Sequence, residues 1–251
     1  MIEVKNLCKI FRKKSSSDEI IDKAAVDNLS FDINDGEIFG LLGKNGAGKT
    51  TTIRMMTMQS RPTSGDIIYR GQRITERSLE IKRMIGVVPQ HINFDQDLTV
   101  GENMELHARL HHLSSGERQQ RITELLNYVE LSDVVNDSVR SLSGGMKRRL
   151  LIMRALIHQP QILFLDEPTV ALDPQVRRRI WTLIRQLKEQ GVTIILTTHY
   201  IEEAEQLCDR TALLSCGRLI ALDTPDNLCR IHNKSTLEEV FIKLTETNHN
   251  E

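Results

Sequence analysis

No window of this chain approaches the roughly 18 uninterrupted apolar residues that a bilayer-spanning helix needs. If the protein works at a membrane, another chain is expected to supply the membrane part. The opening "MIEVKNLCKI" alternates charged and apolar residues and does not read as a signal peptide. Four cysteines, Cys8, Cys208, Cys216 and Cys229, form no CxxC pair and no regular framework, so they read as scattered thiols in a reducing compartment. Excess charge is absent too: 33 basic residues face 34 acidic ones, a net of −1. Strong non-specific attraction to nucleic acid is therefore not expected. Arg177-Arg178-Arg179 could form a local basic face, but a solvated helix surface is the simpler reading. There are no internal repeats, and "KKSSSDE" (13–19), the one low-complexity stretch, is expected to be a mobile loop.

What is present is an ordinary globular composition, 39% hydrophobic and 27% charged over 251 residues. That length suits one large domain or a core with an inserted subdomain. Leu29, Phe31 and Ile33 alternate like a strand, Asn34-Asp35-Gly36 reads as a turn, and Ile38 to Leu42 reads as the next strand. "TSGDIIYRGQRI" predicts a hairpin, and "SLEIKRMIGVVPQ" predicts a short helix entering a buried strand. From about 98 to 160 helical spacing takes over, with no convincing strand. Strand "QILFLDEP", helix "QVRRRIWTLIRQLKEQG" and strand "VTIILTTH" then make a βαβ unit, which implies a parallel sheet. "ALLSCGRLIAL" predicts a further hairpin. The C-terminal "STLEEVFIKLTE" predicts a helix with a capping box from Ser235 to Glu238 and a stripe of Leu237, Val240, Phe241 and Leu244. The fold class is α/β, with a helical insert.

Chemistry concentrates at strand ends. "GKNGAGKT" fits G-x-x-x-x-G-K-[ST] between a strand and a helix. Its binding set is Gly43, Lys44, Asn45, Gly46, Ala47, Gly48, Lys49 and Thr50, followed by Thr51. The glycines let backbone amides face a phosphate, Lys49 neutralises phosphate oxygens, and the Thr50 hydroxyl can bind Mg²⁺. In "ILFLDEP", Asp166 ends a buried strand beside that loop as a metal ligand, and Glu167 can act as a general base towards water. His199 closes "TTH" as a γ-phosphate sensor or transition-state donor, and Gln90 closes "GVVPQ", within reach of Mg²⁺ and the attacking water. "RSLSGGMKRR" holds a second anion-site layout, with Ser143 as helix cap and Gly144-Gly145 leaving the first amides uncovered. His107 and His111, with His112 beside them, could pair on a metal, but no carboxylate or cysteine is in register. Met55, Met56 and Met58 read as core filler.

The phosphate loop, Gln90, "LSGGM", "ILFLDE", "ALD" and His199 occur in an order and spacing that resembles the nucleotide-binding domain of ABC transporters, over nearly the whole chain. The resemblance implies a P-loop NTPase (RecA-like) core with an antiparallel β subdomain and an inserted α-helical subdomain. The ATPase domain would span 1–225, with the helical insert at about 91–160 and a C-terminal helical extension at 226–251. It implies ATP and Mg²⁺ as ligands. It also implies a head-to-tail pair, with a second copy or a homologous subunit, in which Ser143, Gly144 and Gly145 touch the partner's nucleotide and Asp173 crosses the interface. Phe11 resembles the aromatic residue that stacks on adenine, although the stretch after it is longer than usual and a core phenylalanine is the alternative. Met146 stands where glutamine is common. "LSGGMKRRL", "THYIEEAEQLCDR" and "GRLIALDTPDNL" look like ATPase subunits of drug and polysaccharide exporters, of daunorubicin-resistance and nodulation type. Such chains pair with a transmembrane permease at the cytoplasmic face of a bacterial inner membrane. The rival reading is a soluble ABC-type ATPase in translation or DNA repair. Those chains usually carry two such domains or a long coiled coil, and basic extensions. A P-loop GTPase or small-molecule kinase would leave "LSGGM" and "ALD" without a job.

Overall fold

The computed structural model describes residues 1–14, 20–74 and 78–247. The loop expected at 13–19 therefore lies largely outside the described residues. A four-stranded antiparallel sheet in the order β2-β1-β4-β5 is built from β1 (Ile2–Lys14), β2 (Ile20–Ile33), β4 (Ser64–Tyr69) and β5 (Gln72–Arg73). A second sheet has the order β10-β9-β3-β8-β7-β6. Its members are β3 (Ile38–Leu42), β6 (Ile85–Val88), β7 (Ile162–Asp166), β8 (Thr193–Thr198), β9 (Arg210–Ser215) and β10 (Arg218–Asp223). All its pairings are parallel except that of β9 with β10.

The apolar runs of β3, β7 and β8 follow from burial on both faces. Successive side chains leave a strand on opposite sides. Thus Ile38, Leu42, Leu163, Leu165, Ile194 and Leu196 enter one core, while Phe39, Leu41, Ile162, Phe164 and Ile195 enter the other. The second core joins the large sheet to the antiparallel sheet and to α1 (Lys49–Met56), where Met55 and Met56 are buried. The first core carries the helices α3 (Val100–Leu110), α4 (Ser115–Tyr128), α5 (Gly144–Ala155), α6 (Pro174–Glu189) and α7 (Ile201–Leu207). α2 (Leu79–Met84) leads into β6. Between β6 and β7 the described chain forms helices joined by irregular segments, with one isolated bridge of Thr99 to Ser138, and α3 and α4 each begin with a capping box, Thr99/Glu102 and Ser114/Glu117. Among the described residues, no helix is long and apolar enough to cross a membrane.

The C-terminal helices α8 (Pro225–His232) and α9 (Leu237–Thr247) pack on the first core through Leu228, Leu237, Val240 and Phe241. The cap of α9 lies one residue later than the sequence suggests. Thr236 Oγ1 accepts from Glu239 N at 3.3 Å, and Glu239 reaches back to accept from Ser235 N at 3.0 Å. Docking decides the register: Leu237 is fully buried and its N–H donates to Glu205 Oε1 at 2.9 Å.

The histidines also pair differently from the i, i+4 expectation. His111 stacks on His158, with ring centroids 3.8 Å apart, and His158 Nε2 meets Ile85 O at 3.0 Å. Among the described residues no three His, Cys, Asp or Glu side chains gather to hold a metal ion. Burial, reinforced by His111, pushes His158 down to about 4; burial, then Arg154 and the other two histidines, does the same for His107. In the unfolded chain both would protonate near about 6.5. Because the folded state binds these protons more weakly, their contribution to stability is complete above about pH 6.5 and is lost as pH falls towards 4. The urea midpoint should therefore drop between pH 7 and 5, and His158→Gln should flatten that drop. Equal pH slopes for the two proteins would contradict the assignment.

Candidate functional site

Four elements of the large sheet deliver their following residues to one edge, the carboxyl ends of neighbouring parallel strands, where α/β sheets bind ligands. The phosphate loop leaves β3, Gln90 follows β6, Asp166 and Glu167 end β7, and His199 follows β8. The register is held across strands: Gly43 N donates to Thr198 O at 3.3 Å, and Glu167 N donates to Thr197 O at 3.2 Å.

The loop wraps the amino end of α1. Gly48, its N-cap, has φ +102°, and a Cβ there would lie 2.5 Å from Ala25 O, so glycine is required on both counts. Lys49 is buried, its ammonium donating to Gly43 O at 2.7 Å and Lys44 O at 3.2 Å, and lying 3.7 Å from Glu167 Oε1. Burial lowers its pKa, against the pull of Glu167 and Asp166. Thr50 Oγ1 donates to Asp166 Oδ1 at 3.1 Å, and Thr197 Oγ1 donates to the same oxygen at 2.6 Å. This hydroxyl–carboxylate pair is a hard oxygen donor set suited to Mg²⁺, with room for water and phosphate to complete it.

Glu167 is the convergence point. Gln90 Nε2 donates to its Oε2 at 2.9 Å, and His199 Nδ1 lies 3.3 Å from its Oε1, off hydrogen-bond alignment. That Nδ1 is buried and has no hydrogen-bond partner, while part of the side chain lines the cavity and is open to a ligand. Glu167 itself has φ +48°, a left-handed conformation rare for a non-glycine residue, and such strain is concentrated at functional sites. A carboxylate held between an ammonium, an amide and an imidazole can orient water and accept its proton.

These groups line a cavity of about 630 Å³, with Asn45, Gly46, Gly48, Thr50 and Thr51 on the loop side. Phe11, Lys23, Ala24 and Ala25 from the β1–β2 ribbon also line it. Phe11 is 48% exposed, with Lys9 Nζ 5.1 Å from its ring centroid, so it is a rim residue and not a core phenylalanine. Ser143, Gly144, Gly145 and Asp173 do not line this cavity. Ser143 caps α5 by accepting from Met146 N at 3.2 Å; Ser143 and Gly144 are exposed, and the first turn holds no acidic residue. Asp173 caps α6, accepting from Gln175 N and Val176 N at 3.0 Å. The sequence reading missed Thr197, the ribbon residues and Arg148. Of these, Thr197 could have been found, since it immediately precedes the strand end that carries His199.

A phosphate loop, an acidic strand end and an oriented carboxylate on a parallel sheet define a P-loop ATPase. Residues 26–170 match the ABC transporter family, to which this chain belongs. It is an ATP-binding subunit and ATP hydrolase of that family. It is 45% identical over 207 residues to Nod factor export ATP-binding protein I of Cupriavidus metallidurans, covering 82% of this chain and 68% of that protein. It is 42% identical over 229 residues to linearmycin resistance ATP-binding protein LnrL of Bacillus subtilis, covering 91% and 71%. The ATP-binding cassette MJ0796, solved as a dimer in a post-hydrolysis state with ADP and Pi, superposes with a TM-score of 0.79 at 30% identity, covering 89% of this chain and 98% of that one.

Gly48→Ala should distort the loop at a cost of about 1–3 kcal/mol of backbone strain. The expected outcome is at least a tenfold loss of nucleotide affinity in fluorescence titration, with the secondary structure intact by circular dichroism. Unchanged affinity would mean that the loop conformation is not what binds.

Proposed function

We propose that this chain is the motor of an exporter, in which two ATPase subunits sandwich two MgATP molecules head to tail and move a separate transmembrane permease. The observation that carries this reading is the split of the anion-binding groups. One set lines the cavity, whereas Ser143 and Gly144, both exposed, lie outside it at a helix N-terminus, with Gly145 buried just behind them. A second subunit gives that helix end a phosphate to bind. Asp173, exposed at the start of α6, would cross the same interface.

Within one site, Lys49 and the loop amides hold the β- and γ-phosphates. Thr50, Asp166 and Gln90 would hold Mg²⁺, which when bound polarises the phosphate and offsets its charge. Glu167 takes a proton from the attacking water. His199 contacts the γ-phosphate, and Phe11 stacks on the base. Loss of the γ-phosphate removes the charge that joins the two halves, so hydrolysis separates them. The 1–225 domain, through Gln90 and the insert at about 91–160, passes this movement to the permease, and 226–251 forms a helical extension. The names of the Nod factor and linearmycin relatives support export. The reading puts the subunit peripherally at the cytoplasmic face of a bacterial inner membrane.

Glu167→Gln should lower kcat by about 10²–10⁴-fold and trap an ATP-bound dimer, seen by light scattering with saturating MgATP. A variant that hydrolyses normally contradicts the role of Glu167 as base, and one that stays monomeric whatever the nucleotide contradicts the sandwich. Gentle purification of the tagged chain from membranes of its host should bring down a polytopic membrane protein in stoichiometric amount. Ribosomes or nucleic acid in its place would overturn the transport reading and leave the ATPase standing.

A further inference from the structure

Arg148 lies on α5, five residues beyond Ser143, or about 7.5 Å along the helix axis. It is 4% exposed, and every partner of its guanidinium is a backbone carbonyl. Nε donates to Pro168 O. One terminal nitrogen donates to Pro89 O at 2.9 Å and Gln90 O at 3.2 Å. The other donates to Asp166 O at 3.2 Å and to Glu167 O. Five bonds match the five N–H groups that a guanidinium owns. The carbonyls belong to the two segments that bear Gln90 and Glu167, the side chains that meet over the cavity.

This cage is stiff for a physical reason. A guanidinium stays cationic in a protein, and this one is buried. A buried cation that loses its acceptors is strongly destabilised. The carbonyls must therefore follow the guanidinium, including that of Glu167 with its left-handed φ of +48°. Neighbouring contacts extend the constraint. Thr169 Oγ1 and Trp181 Nε1 both donate to Glu203 Oε1, at 2.7 and 2.9 Å, on a carboxylate with no exposure. A Cβ on Gly145 would lie 2.7 Å from Val176 Cγ1, so the first turn of α5 is seated directly on the first turn of α6. The same helix thus offers its amino end to solvent and grips the catalytic segments of its own chain.

We infer that Arg148 is a positioning residue that couples the seating of α5 on a second subunit's nucleotide to the placement of Gln90 and Glu167 in its own chain. This rests on the head-to-tail pairing proposed above. Because a helix moves as a rod and the guanidinium has no spare donor, displacement of the amino end reaches the two side chains through their own backbones. Hydrolysis in one site then depends on engagement at the other. Lysine keeps the charge but offers three donors from one point, so it cannot hold five carbonyls.

The test uses the purified full-length chain, comparing wild type with Arg148→Lys and with Arg149→Lys, whose guanidinium donates to Val129 O outside the cage. Arg148→Lys should unfold at a lower temperature than wild type, because buried carbonyls lose a donor, yet be folded at the assay temperature and bind a fluorescent ATP analogue within about twofold of wild type. Its kcat should fall by about tenfold or more, and its Hill coefficient for ATP should fall from near two, about the number of sites, towards one. Arg149→Lys should keep both. A folded Arg148→Lys with wild-type kcat and Hill coefficient overturns the coupling while the pairing stands. Non-cooperative hydrolysis by the wild type, without an ATP-dependent dimer, overturns the pairing and the coupling with it. If Arg148→Lys does not fold, hydrogen exchange in Glu167→Gln protein decides. MgATP should protect residues 89–92 and 166–170, and adding Ser143→Arg should abolish that protection. Protection that survives Ser143→Arg overturns the proposal.

Discussion

The site depends on three parallel strands, β3, β8 and β7, being buried on both faces. With apolar side chains on either side, none can slip by one residue without exchanging the contents of the two cores. Pairings such as Leu42 with Thr198 and Asp166 with Thr197 therefore fix the level at which each strand stops. The phosphate loop, the two acids and His199 emerge together as a consequence. Ordinary burial of Phe164, Leu165, Ile195 and Leu196 holds them there, without any bond made for catalysis.

On that platform, the polar groups are arranged as a closed set. Asp166 takes both its hydroxyl partners on one oxygen, and Glu167 meets Lys49, Gln90 and His199. The nearby backbone is held from behind by Arg148, whose five donors are all used. One side of each of these segments thus faces the cavity, and the other faces the helix that presents Ser143 outward. An ATPase whose two sites act together needs such a link, since amides at a helix end cannot report their contacts unless something rigid carries the displacement inward.

The amino-acid sequence by itself determined the chemistry and the strand ends. "GKNGAGKT", "ILFLDE" and "TTH" name the phosphate loop, the acids and His199, because each lies where a short apolar run stops. It also settled the α/β class, as those runs alternate with helical periods. The tertiary structure alone decided how separated segments meet. The cap of α9 moved from Ser235/Glu238 to Thr236/Glu239 because Leu237 docks on a core made elsewhere and spends its N–H on Glu205. His111 stacks on His158, 47 positions away in the chain, in place of His107. Arg148 reads in one dimension as one more basic residue of "MKRR", like the exposed Arg178 and Arg179. Only the fold surrounds it with carbonyls from Asp166 at the end of β7 and from the residues that follow β6 and β7, and a carbonyl has no letter in the sequence.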